Sequence, residues 1–332
     1  MMLPKQVEIV EVGPREGFQF EGISRPEAIA FDDKLALIAA LAATGVKTLQ
    51  IVSFVHPKQV PQMADAERIV EALQPVSGVT YTGIYLNDVG LKRAIANPKL
   101  ALVPDLVLSA SETFALRNQK RTFDEDAQAA RRMGALYRDL GVAVTTGNVM
   151  AAFGCNYEGP IPLSRVLERI GTLSDIAEET GGRLSTLNLA DTMGWADPTL
   201  IRRTVAAVRE RWPATRIGLH LHDTRGLGLA NVYAALVDGI DRFECAIGGL
   251  GGCPFAGHGG AAGNVATEEV VFLCDRLGVS TGIDLTRLLD AGRLAERAVG
   301  HPLPSRLLRS GVEIGLQKAV NDSGVHLFDH GR

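Results

Sequence analysis

The run Ile217-Gly218-Leu219-His220-Leu221-His222-Asp223-Thr224 alternates leucine with histidine. Alternation is the period of a β-strand. His220 and His222 therefore share one face, with their rings close enough to share an ion, and the leucines occupy the other face. The strand stops at Asp223-Thr224-Arg225-Gly226, which reads as a loop leading into a helix. Two neutral imidazoles at the C-terminal end of a strand make half of a transition-metal site. The alternative is a hydrogen-bonded histidine pair inside a polar barrel.

Working outward, short β-rich runs alternate with longer helical ones. Strands are expected at residues 7–12, 48–54, 80–86, 105–110, 143–150, 186–190, 217–222 and 242–247. Helices are expected between them at about 26–44, 64–73, 89–96, 122–140, 163–180, 198–211 and 229–239, from apolar residues at helical spacing. Eight βα units with no composition break point to a single α/β domain, a closed (β/α)8 TIM barrel, rather than an open doubly wound sheet. The strands read as mostly continuous apolar runs, as parallel strands covered on both faces should. C-terminal helical additions are expected from about residue 268 to 308, interrupted at Pro302 and Pro304, followed by a weakly patterned tail over 310–332.

The chain has 332 residues, 46% hydrophobic and 22% charged, with a formal net charge of -4. No domain-wide basic field exists to displace counterions from nucleic acid, so that partner is not expected. No apolar run approaches the ~18 residues of a membrane span. No signal-peptide or amphipathic leader is expected at the N-terminus. The four cysteines, Cys155, Cys245, Cys253 and Cys274, form no C-x-x-C pair and no disulfide framework, which makes a reducing cytoplasm the expected compartment.

In a barrel of this kind the chemistry sits on the loops after the strands. The unusual residues cluster there: Gly13-Pro14-Arg15-Glu16-Gly17 after the first strand, Ser53-Phe54-Val55-His56-Pro57-Lys58 after the second, Asp191-Thr192-Met193-Gly194 after the sixth, and Gly248-Gly249-Leu250-Gly251-Gly252-Cys253-Pro254 after the eighth. Glu16 offers a carboxylate oxygen, His220 and His222 two nitrogens, and Asn264 an amide oxygen. That donor set leaves positions open for substrate on a divalent ion: Mg2+ or Mn2+, with Zn2+ or Co2+ as further candidates. Arg15, on an extension of the strand, is expected to point away from Glu16. It reads either as a permanent cation for an enolate oxygen or as a plain ion pair. Cys253, on a glycine-dense loop, reads either as a proton donor or as a small buried hydrophobe.

Gly13-Pro14-Arg15-Glu16-Gly17, Ser53 through Met63 (SFVHPKQVPQM), Gly154-Cys155-Asn156-Tyr157-Glu158-Gly159, His220-Leu221-His222-Asp223-Thr224 and Gly249-Leu250-Gly251-Gly252-Cys253-Pro254 together resemble the 3-hydroxy-3-methylglutaryl-CoA lyase family, over about residues 5 to 300. The resemblance implies a metal-dependent retro-Claisen lyase of an acyl-CoA substrate, and a homodimer. It implies that Arg15 stabilises the enolate and that His220 ligates and moves protons. Cys253 would protonate the enolate, and Asp191 and Glu268 would stand behind the site. The chain departs from the family in having Glu16 for aspartate and Gln50 for glutamate. It also has a longer loop over 20–33 and about two extra residues, including His258, between Cys253 and Asn264. All four departures surround the substrate. They point to an altered acyl group, such as citramalyl-CoA or a longer branched 3-hydroxyglutaryl-CoA, or to a slow HMG-CoA lyase. An aldolase or Claisen synthase of the same barrel superfamily lacks the cysteine loop, and an inactive acyl-CoA-binding barrel would not need Arg15, both histidines, Asn264 and Cys253 together.

Overall fold

The computed structural model describes residues 3–24, 29–252 and 262–311. Eight strands run in parallel: β1 Glu8–Glu11, β2 Thr48–Ser53, β3 Thr80–Ile84, β4 Asp105–Ser109, β5 Thr146–Met150, β6 Thr186–Asp191, β7 Arg216–Leu221 and β8 Arg242–Cys245. Their order is β3-β2-β1-β8-β7-β6-β5-β4. That is the cyclic order of a (β/α)8 barrel, opened on paper between β3 and β4. There the seam is closed by Ala101 N–H donating to Tyr81 O (2.8 Å) and by Tyr85 Oη donating to Val103 O (2.6 Å).

The helices are α1 Phe18–Ser24, α2 Phe31–Ala42, α3 Ala66–Ala72, α4 Asp88–Ile95, α5 Glu112–Gln119, α6 Phe123–Asp139, α7 Leu163–Glu179, α8 Pro198–Arg211, α9 Gly228–Val237, α10 Thr267–Arg276, α11 Leu285–Val299 and α12 Leu307–Ser310. Several helix starts carry a side-chain cap. Thr122 and Glu125 form a reciprocal capping box at the start of α6. Asp197 caps α8, whose first turn holds Pro198. Two helices are absent from the expectation. The helix foreseen over 26–44 begins at Phe31 and is preceded by α1; α5 fills the gap after β4. In α5 only Phe114 and Ala115 are buried, too few to print a helical period.

The strands are not apolar on both faces, as their composition suggested. Leu49, Ile51, Leu106, Leu187, Leu219 and Phe243 face the helices and are fully buried. Each such side chain stabilises the fold by roughly 1.5–3 kcal/mol relative to exposure. The inward positions instead carry Gln50, Asp105, Asn148, Asn188, His220 and Glu244, which line one cavity running into the barrel. Polar groups are tolerated there because they bond one another across strands.

Candidate active site

The site is built at the C-terminal ends of β7 and β8 and on the turn after β1. His220 is the fifth residue of β7. His222, one residue past the strand, is fixed by main-chain pairing with the segment 263–265: Val265 N–H donates to Leu221 O (2.9 Å) and Asp223 N–H to Gly263 O (2.8 Å). The same pairing sets His222 opposite Asn264. Glu16 lies in Gly13–Gly17, a single π-helical turn rather than a strand extension. Its N–H donates to Val12 O at 2.8 Å. A helical turn rotates neighbouring side chains far less than a strand does, so Arg15 and Glu16 do not diverge as expected. Arg15 Nη2 donates to Glu16 Oε2 at 3.0 Å, and both residues line the cavity.

Three ligand atoms converge. Glu16 Oε1 lies 3.3 Å from His222 Nε2 and 3.6 Å from His220 Nε2, and the two Nε2 atoms are 3.0 Å apart. Among the described residues this is the cluster of histidine and carboxylate groups able to hold a metal ion. Its electrostatics suit a cation. Burial opposes ionisation of Glu16, but His220 and Arg15 outweigh it and hold the carboxyl well below its usual range. Burial likewise opposes charge on His220, yet the carboxylates of Glu16 and Glu244 push it up to about 10. Burial and the neighbouring His220 keep His222 low. A pocket that retains one proton so firmly, between two facing imidazole nitrogens and a carboxylate, offers a divalent ion the same field.

Asn264 reaches the cluster, but with its nitrogen. Nδ2 donates to Glu16 Oε1 (3.0 Å) and to Leu250 O (2.9 Å), while Oδ1 is buried with no partner. An amide nitrogen is the end that suits a carboxylate; with a cation seated between them, the oxygen end would suit it instead. Gly251, at φ +92°, lets the loop pass this amide: a Cβ there would stand 2.6 Å from Asn264 Nδ2.

The remaining expected residues divide. Gln50 Oε1 accepts from Arg15 Nε at 2.5 Å and so steers the guanidinium. Asp191 is not brought to the cavity. Buried at the end of β6, it accepts from Trp195 N–H (2.7 Å) and Ala196 N–H (3.1 Å), which makes it a strut for the loop after that strand. Burial pushes its carboxyl up to about 6. Glu268 is buried in the first turn of α10 and accepts from Gly248 N–H at 3.0 Å, behind the strand ends rather than in the mouth. Cys253 and His258 lie outside the described residues. The Gly154–Gly159 motif folds as a two-residue-per-strand hairpin, Gly154–Cys155 against Gly159–Pro160. Its Glu158 ties the rim to α5 and α7 by accepting from Ser111 Oγ, Thr113 N–H and Arg165 Nη1 at 2.7–2.8 Å.

One functional residue escaped the sequence reading. Glu244 Oε2 lies 3.0 Å from His220 Nδ1, opposite it in register. A carboxylate behind a histidine fixes the ring and raises the basicity of its other nitrogen. The signal was present: Arg242-Phe243-Glu244-Cys245 alternates polar and apolar, which aims Glu244 into the barrel beside β7.

A family model described as HMGL-like matches residues 6–295. Hydroxymethylglutaryl-CoA lyase of Bacillus subtilis (strain 168) is 37% identical over 309 residues, 93% of this chain and 98% of that protein. The crystal structure of the Bacillus subtilis HMG-CoA lyase matches with a TM-score of 0.83 at 36% identity, covering 93% of this chain and 99% of that one. An HMG-CoA lyase from Acinetobacter baumannii, solved with coenzyme A and 3-methylmalate, matches with a TM-score of 0.81 at 34% identity, covering 95% and 98%.

Proposed function

The chain belongs to the HMGL-like family, and from that premise we propose a divalent-metal-dependent carbon–carbon lyase. It cleaves 3-hydroxy-3-methylglutaryl-CoA, or a close 3-hydroxyacyl-CoA, into acetyl-CoA and a keto acid, acetoacetate in the first case. The observation that carries the reading is the convergence of Glu16, His220 and His222 beside Arg15 in the barrel mouth.

Glu16, His220 and His222 would hold the ion, joined by Asn264 once its amide is turned. The ion would supply Lewis acidity toward the 3-hydroxyl and a neighbouring oxygen. Mg2+ or Mn2+ is our choice, and two imidazoles favour Mn2+. The 3-hydroxyl gives its proton to water at the barrel mouth, the C2–C3 bond breaks, and its electron pair passes to the thioester as an enolate while the alcohol carbon becomes a ketone. Arg15, held by Gln50 and Glu16, faces the oxygen where that charge develops. Glu244 keeps His220 oriented through Nδ1, so that Nε2 is the atom that would ligate the ion. Cys253 would return a proton to the enolate carbon, releasing acetyl-CoA. A homodimer in the cytosol is part of the same proposal; the buried free thiols of Cys155, Cys245 and Cys274 agree with a reducing compartment.

The test is product analysis by mass spectrometry after incubating the protein with HMG-CoA, both citramalyl-CoA isomers and longer branched analogues, each with Mg2+, with Mn2+ and with a chelator. Acetyl-CoA plus a keto acid, lost with chelator, is the expected result. No cleavage across the panel overturns the reading. Gln50→Glu sharpens it: a strong rise in HMG-CoA cleavage points to another native acyl group, and a fall points to HMG-CoA itself.

A further inference from the structure

The cavity has two unlike sides. Arg15, Glu16, His220 and Glu244 come from the turn after β1 and from β7 and β8. In the closed ring, β3, β4 and β5 stand opposite β7, β8 and β1. Their inward positions carry Ile84, Val107 and Met150, and all three line the cavity. Leu86, two residues past Ile84, and Phe114 of α5 extend the same lining. The residues that alternate with them, Leu106, Leu108 and Val149, face the helices and are fully buried. Ile84, Val107 and Met150 are only partly buried, and Leu86 is 40% exposed. An inward side chain on a helix-covered strand meets water only in the cavity, so this is apolar surface left open inside the barrel. An ordinary barrel core fills that space with branched side chains, whereas a ligand site keeps it free. The cavity volume is about 340 Å3.

The wall lies within reach of the reacting centre. His220 pairs in register with Ala190, and Leu189 with Val149, which sets Met150 next beyond Ala190. Met150 therefore stands two strand spacings, about 10 Å, from His220. Ala190, between them, lines the cavity with a single carbon. Nearer the strand starts the lining turns polar. Asn148 Nδ2 donates to Asp105 Oδ2 (2.9 Å), and Asn188, in register with Gly218, donates to Asn148 Oδ1 (2.9 Å). That floor limits how deep an apolar group can go. In the proposed reaction the hydroxyl on C3 is turned toward Glu16, His220 and His222. The arms of C3 that end in thioester and carboxylate carry oxygens suited to the charged side. The branch is the apolar arm, and it alone matches the wall across from them.

We propose that Ile84, Val107 and Met150, across the barrel from the histidines, form a subsite for an alkyl branch, so that the preferred substrate is a 3-hydroxyglutaryl-CoA with a short alkyl chain where HMG-CoA has its methyl. The proposal rests on the lyase reading and names the substrate class of that site. Each further CH2 that leaves water for such a wall adds to transition-state binding.

The experiment measures kcat/KM of the metal-loaded enzyme for three thioesters that differ only at C3: methyl, propyl and 2-hydroxyethyl. The propyl compound is expected to exceed both others by about tenfold or more, the hydroxyethyl compound controlling for size. In Val107→Phe, which fills the space beside Met150, the propyl-to-methyl ratio should fall below one. Val107→Thr keeps the shape and adds a hydroxyl; it should lower the propyl-to-hydroxyethyl ratio, and it serves where the phenylalanine variant is too unstable to assay. The 3-methyl- and 3-propylglutaryl thioesters of CoA, which lack the hydroxyl and are not cleaved, should bind in the same order by isothermal titration. Wild-type preference for methyl or hydroxyethyl overturns the subsite. So do ratios unchanged in both variants, the result expected if the wall holds the pantetheine arm instead. Cleavage of none of the three overturns the lyase reading, and the binding order then decides the subsite by itself.

Discussion

Glu11 and Glu16 stand one turn of chain apart, and both are largely withdrawn from water, yet their carboxyls sit in opposite states. Glu16 meets charge: Arg15 on one oxygen, the two histidines on the other. It is held well below the usual carboxylate range. Glu11 is the last residue of β1 and lies on the face toward α10. It meets neutral donors only, accepting from Gly13 N–H (2.7 Å), Ile247 N–H (3.0 Å) and Thr267 Oγ1 (2.5 Å). Burial pushes it up to about 7, against the pull of those bonds. Burial alone therefore does not mark a ligand; the partners decide. Glu16 is a charge kept ready for a cation. Glu11 is a brace that joins the start of the Arg15–Glu16 turn to the end of β8 and the head of α10.

Removing the charge should break the two sides unequally. Glu16→Gln is expected to cost at least about a thousandfold in kcat/KM, because the ion loses its anionic ligand and the several kcal/mol of stabilisation it supplies. Isothermal titration with Mn2+ should show the matching loss of affinity, and near-wild-type binding would remove Glu16 from the ligand set. Glu244→Gln comes next. It keeps a hydrogen-bond partner for His220 Nδ1 but drops the charge behind the ring, for an expected loss of about 10- to 100-fold in metal affinity or activity. Glu11→Gln should stay within about tenfold of wild type, since an amide oxygen still accepts from Gly13 and Ile247. Glu11→Ala strands both N–H groups and should lower stability by about 1–3 kcal/mol in denaturant titration. Equal activity losses in Glu11→Gln and Glu16→Gln would erase the distinction.

The same contrast bounds what the sequence could reveal. The His220–His222 pair was legible because alternation is a local pattern and one strand contains it. The barrel was legible because eight βα units repeat. Arg15 was misdirected because Pro14 and two flanking glycines disfavour a helix, yet Pro14 sits in a first turn that needs no N–H from it. The resemblance put Asp191 behind the site; which groups it would hold there was not legible, because its partners, the Trp195 and Ala196 N–H groups, are set by the turn after β6. Asn148, Asn188 and Gly218 went unread for a different reason. Each is unremarkable in its own strand, and their adjacency depends on the register between strands whose residues lie 30 to 40 positions apart. Glu11 gave no signal that separates a brace from a ligand; only its neutral partners do.

The smallest effect is also the most discriminating, because its sign differs between the two glutamates. With the metal chelated, melting temperatures of wild type, Glu11→Gln and Glu16→Gln are compared from pH 5 to pH 8. A carboxyl raised by folding, as Glu11 is, contributes stability that is fully present below its ordinary value of 4.5 and lost as pH climbs through about 7. Glu11→Gln does not suffer that loss. Its melting temperature should start at or below wild type at pH 5 and gain on it by a few degrees, about 1–2 kcal/mol, by pH 8. A carboxyl lowered by folding, as Glu16 is, contributes stability present above 4.5 and lost only as pH falls well below it. Glu16→Gln should therefore show a constant deficit from pH 5 to about 6.5, the range in which Glu11→Gln already gains on wild type; above it the deficit narrows, because the wild type begins to lose the stability of the His220 proton that Glu16 holds. Parallel curves for the two variants would mean that both carboxyls are ionised at neutral pH, and the division into brace and ligand would then have to rest on geometry alone.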